Sequence, residues 1–172
     1  MPLKIKIFMW YLLKGVVLTK DNLARRNWNG SLRCFCMKNE TIQHLFIECH
    51  YAKFVWRAVQ FSLGLYLPTT ISNMFDGWLL GVDKKKSKLI LVGASAICWA
   101  LWLTSNDMVL DKSPSISYMQ VIFKATYWLR FWAKLQKCED DGEFMKVACR
   151  KLETTVMQIF ANHGWRFTNR LE

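Results

Sequence analysis

Cys34, Cys36, His44 and Cys49 fall close together in the run Cys34-Phe35-Cys36-Met37-Lys38-Asn39-Glu40-Thr41-Ile42-Gln43-His44-Leu45-Phe46-Ile47-Glu48-Cys49. Three thiolates and an imidazole make a complete tetrahedral zinc shell, and a closed shell of four protein ligands leaves no position for a catalytic water. A chain folded around such a site must bring a turn (Cys34, Cys36) to both ends of a short helical stretch (His44, Cys49). The spacing therefore points to a metal that organises the fold, and zinc is the expected cofactor. His50 is an adjacent reserve ligand. The chain has six cysteines, and a start in which charged and apolar residues interleave is not a secretory leader, so the cysteines read as reduced thiols of an intracellular protein rather than a disulfide framework. Cys98, Cys138 and Cys149 are not spaced as ligands and are expected to be plain thiols.

The rest of the chain reads as all-α: a small zinc-stabilised helical module over residues 1–63, a linker over 64–83 rich in glycine with Pro68, and a tryptophan-rich bundle of longer helices over 84–172. Helices are expected over 3–14 with Gly15 as the stop, and from Thr19 through Arg26. A further helix is expected from Thr41, breaking near Cys49 and resuming over 51–63. The Trp78-Leu79-Leu80 patch within the linker should dock. Leu89 to Leu103 carries no charge but is short for a membrane span, so it is expected as a core helix, and a membrane partner is not expected. Ser113-Pro114 has the form of a helix start, with the helix running to Cys138 and placing Trp128, Leu129, Trp132 and Leu135 on its apolar face. Asp140-Asp141-Gly142 should end that segment and cap the last helix, from about residue 143 to 162, closed by Gly164.

Hydrophobic residues make up 52% of the 172 positions, ample for a core, while 24 Lys+Arg against 13 Asp+Glu leave a net charge of +11. Such a surface attracts polyanions, nucleic acid foremost. Arg25, Arg26 and Arg33 flank the cysteine cluster and are placed for phosphate contact. Lys124, Arg130 and Lys134 recur with Tyr127 and Phe131 at helical steps, where cations and rings share a face. The plain alternative for these is a solvated helix face whose long basic side chains cover apolar neighbours. No nucleophile-elbow, phosphate-loop or zinc-hydrolase motif is present, and the acidic run at 139–143 suits the start of a helix, so the chain is not expected to be an enzyme.

Pro2 through Trp10, Leu18 through Arg26, the cysteine pair, Glu40 through Phe46, and Cys49 through Trp56 together resemble the zinc-binding domain that follows the reverse transcriptase in plant non-LTR (LINE-type) retrotransposons. The tryptophan-rich stretch Trp99 through Asp107 is more loosely similar to the helical region beyond it. The resemblance implies a non-catalytic zinc-binding accessory module that helps a polymerase engage RNA or DNA, with Cys34, Cys36, His44 and Cys49 as metal ligands and a reverse transcriptase polypeptide as a partner. The family usually places two residues between the first two cysteines, and here only Phe35 intervenes, so Cys34 is the ligand expected to fit least well. The alternative is a degenerate transposon-derived structural or interaction domain without nucleic acid binding.

Overall fold

The computed structural model describes residues 1–34, 36–109 and 117–163. Among them the elements are α1 (Leu3–Leu13), α2 (Lys20–Ala24), a π-helical turn (His44–Glu48), α3 (His50–Leu63), α4 (Ile71–Phe75), α5 (Lys84–Val109), α6 (Tyr118–Ala133) and α7 (Glu139–His163). The all-α reading holds: among the described residues the only pairing of extended backbone is an isolated antiparallel bridge between Arg33 and Asn39.

Local chemistry sets most of these boundaries. Pro2 sits in extended backbone as the N-cap of α1, and Gly15, at φ 72, lets the chain turn away after its end. Gly64 closes α3 in the left-handed region at φ 67, donating its N–H to the Gln60 carbonyl at 2.8 Å. α6 opens on a capping box: the Ser117 side chain accepts from the backbone of the first turn while Gln120 bonds back to the Ser117 N–H. That cap replaces the expected start at Ser113-Pro114, which lies outside the described residues. α6 also stops at Ala133, short of Cys138, so Leu135 falls beyond its end and is exposed. Asp140, Asp141 and Gly142 do not separate two helices. They are the first turns of α7, where the carboxylates complement the helix dipole.

The charge-free run 89–103 belongs to a much longer helix, α5, of 26 residues. Its stretch Lys84–Asp107 is long and apolar enough to cross a membrane, and 56% of its most apolar window is buried inside the protein. α1 and the π-helical turn pack on α5 through one aromatic cluster: the Phe8 ring lies 6.1 Å from Phe46, 5.1 Å from Trp99 and 5.5 Å from Trp102. α6 lies along both α5 and α7, and α3 leans on α7, where Phe54 meets Phe160 at 6.0 Å. Residues 64–83 carry α4, and Trp78 docks edge-on to Trp56 at 5.7 Å while its indole N–H donates to the Tyr66 carbonyl; Leu80 stays exposed. One cluster of buried side chains thus draws on α1, α3, α4, α5, α6 and α7.

Candidate metal centre

The Cys34 side of the site is a tight hairpin. Cys34 N–H donates to the Lys38 carbonyl at 2.7 Å, Met37 N–H to the Cys34 carbonyl at 2.9 Å, and Glu40 N–H to the Leu32 carbonyl at 2.9 Å. Met37 takes the left-handed conformation at φ 66, unusual for a side chain of its size, because the chain must reverse within so few residues. The backbone amides of Cys36, Lys38 and Tyr51 favour the thiolate forms of Cys34, Cys36 and Cys49 in turn.

The other side depends on a change of helical pitch. Thr41 caps the turn, its hydroxyl accepting from His44 N–H at 3.1 Å, and Leu45 N–H reaches the Thr41 carbonyl as in an α-helix. The next turn widens: Cys49 N–H bonds the His44 carbonyl at 2.7 Å, a step of five residues. At about 100° per residue an α-helix would place positions five apart roughly 140° from each other. The π-type turn closes that angle and brings the His44 and Cys49 side chains to the same face. The Trp56 indole donates to the Phe46 carbonyl at 2.8 Å, supporting a carbonyl inside the irregular turn. After Cys49, whose ψ of 141 breaks the helix, α3 begins with its N-terminus beside the thiol.

The four candidate ligand atoms converge: the Cys34, Cys36 and Cys49 sulfurs and a His44 ring nitrogen all lie within 4.8 Å of one another. Cys34 Sγ and Cys49 Sγ are 3.9 Å apart, against the ~3.8 Å edge that tetrahedral zinc with ~2.3 Å bonds to sulfur requires. Cys36 Sγ and His44 Nε2 stand at 2.9 Å as a hydrogen-bonded pair, and metal would spread them toward ~3.6 Å. The donor set and its spacing fit a zinc ion, with Cys34 buried alongside Cys49. Electrostatics prepare the same chemistry. The Cys49 thiol hydrogen-bonded to Cys34 brings the Cys34 sulfur down to about 7 and is itself pushed up, and metal binding would take the remaining protons from both. Burial raises Cys36 and lowers His44, which keeps the imidazole neutral, its ligand form.

Residues 1–56 match the family model for zinc-binding in reverse transcriptase. The match covers the hairpin, His44, His50 and the first half of α3, so a zinc-binding module is supported by the geometry and by the family alike. No curated protein and no solved structure matches the chain.

A buried carboxylate fastens the site to the body. Glu40, 3% exposed, accepts from Lys20 N–H at 3.2 Å and from the Ser105 hydroxyl of α5 at 2.7 Å, and lies 3.7 Å from the Lys20 ammonium. Lys20 in turn donates to the Arg33 carbonyl. The Gln43 side chain reaches residues 64–83, donating to the Thr69 carbonyl and accepting from Ile71 N–H. His50 is not among the converging four; its ring packs on Tyr51 and Tyr118.

The six predicted phosphate-contacting residues divide into two sets. Arg25, Arg26 and Arg33 are exposed, and none of them joins an ion pair among the described residues. Lys124 is held by Asp107 at 2.6 Å, and Arg130 makes a two-pronged bond to Glu153; of the three on the α6 side only Lys134 is exposed and unpaired among the described residues. The sequence reading passed over Lys38 and Lys53, two exposed cations close enough to lower the His44 pKa after burial has done so. Lys38, inside the ligand loop itself, was the discoverable one.

Proposed function

We propose that this chain is a non-catalytic, zinc-organised accessory module of a retrotransposon reverse transcriptase that holds RNA or DNA by its phosphates. The supporting observation is a set of cations on and beside the metal hairpin: Arg25, Arg26 and Arg33 are exposed and join no ion pair among the described residues, and Lys38 and Lys53 lie near His44. Cations on a zinc-braced loop cost little entropy to position, and phosphate contact needs no base readout, so binding is only weakly dependent on sequence.

The test is binding of the zinc-loaded chain to labelled duplex DNA and single-stranded RNA across a salt series. Affinity should fall linearly on a log–log plot, and Arg25→Ala/Arg26→Ala/Arg33→Ala should flatten the slope by about 2–3 through lost counterion release. Absence of binding at low salt, or affinity indifferent to salt, refutes the reading. The exposed side of α1 favours a second reading, docking onto another polypeptide such as the polymerase itself: Leu3, Ile7, Trp10, Tyr11 and Leu13 all face outward.

A further inference from the structure

On α6, Phe123, Tyr127 and Phe131 stand one turn apart on the outer face, 42%, 65% and 47% exposed. The basic side chains that would ordinarily lie over such rings are drawn elsewhere: Lys124 to Asp107 and Arg130 to Glu153. Trp128 packs nearly perpendicular to Tyr127 and to Phe131, at 77° and 86°, which pins their planes. Lys4 of α1 places its ammonium 5.2 Å from the Trp128 ring, bracing it from behind. Just past the ladder, Lys134 and Lys137 are exposed and unpaired among the described residues.

We infer that this ladder is a stacking platform for single-stranded nucleic acid, with successive unpaired bases on Tyr127 and Phe131 and the backbone running toward Lys134 and Lys137. The inference rests on the nucleic-acid reading above and adds to it a second surface and a strand preference. Rings four residues apart on a helix are separated by about 6 Å along its axis. That step exceeds the ~3.4 Å rise per base of a duplex strand. It suits an extended strand whose bases have come apart, and a duplex has no base faces to offer. An apolar partner helix would satisfy the rings but not the lysines at their end, and the chain's net charge of +11 favours an anionic occupant.

The experiment compares labelled oligouridylate of about ten nucleotides, within the usual range for such platforms, with blunt duplex DNA on the full zinc-loaded chain. Tyr127→Ala and Phe131→Ala should each weaken the single strand about five- to a hundredfold while leaving duplex affinity and zinc content unchanged. Tyr127→Leu, which keeps an apolar side chain but removes the ring, should be as defective as Tyr127→Ala. If the ring variants bind the oligonucleotide like the parent while Arg25→Ala/Arg26→Ala/Arg33→Ala loses both ligands, the ladder is overturned and the broader reading stands. If neither ligand binds the parent, both fall. Full activity of Tyr127→Leu, or ring variants that change only self-association in sedimentation, would assign the face to protein and overturn the platform.

Discussion

Cys34 is the residue on which the metal centre turns. Its sulfur sits 3.9 Å from that of Cys49, whose thiol lowers the Cys34 pKa. We expect Cys34→Ser to lose zinc as completely as His44→Ala or Cys49→Ser, with elemental analysis after exposure to a competing chelator as the measurement; full retention by Cys34→Ser would remove it from the site. Acid should strip the metal, since three thiols and an imidazole must lose their protons to bind it. Glu40 plays a different part. Its carboxylate joins α2, the hairpin and α5 from a fully buried position, so Glu40→Ala should cost about 1–3 kcal/mol in stranded donors yet leave one zinc per chain when zinc is in excess.

At the scale of the element, the π-type turn and two helical glycines show where backbone geometry matters. His44 and Cys49 converge only because the turn between them is wider than an α-helical one. Gly93 lies inside α5, and an added Cβ would meet nothing nearer than Leu129 Cδ2 at 3.9 Å. Gly93→Ala should therefore stabilise the protein by about 0.5–1 kcal/mol. Gly142 looks similar in sequence but is opposite in consequence: a Cβ there would stand 2.7 Å from the Ala133 carbonyl oxygen, where the first turns of α7 pass the end of α6. Gly142→Ala should destabilise by about 1–3 kcal/mol. Denaturant unfolding of the two variants checks both signs, and equal effects would contradict the packing. The helix start at Thr41 and the stop at Gly15 were legible because caps and left-handed glycines act locally. The start of α6 was not, since Ser113-Pro114 and Ser117 both carry N-cap chemistry and pattern alone does not rank them.

For the whole molecule, the decisive feature is that the metal hairpin has no separate core. Phe46, beside the ligands, packs through Phe8 to Trp99 and Trp102 of α5, and Glu40 bonds Ser105 on the same helix. Zinc loss should consequently propagate: unfolding followed by tryptophan fluorescence, by far-UV circular dichroism and by release of zinc to a chromophoric chelator should coincide in one transition. A metal-dependent transition separate from the unfolding of α5–α7 would show that the two parts fold independently. By itself the sequence determined the helical class, the identity of the metal quartet and the basic character of the surface, because each depends on residues close in the chain or on composition. Only the tertiary structure decided which cations are free. Lys124 and Arg130 share a helical pattern with Lys134, but carboxylates 17 and 23 residues away claim them. No local spacing encodes that pairing, because it arises when α5 and α7 are laid against α6.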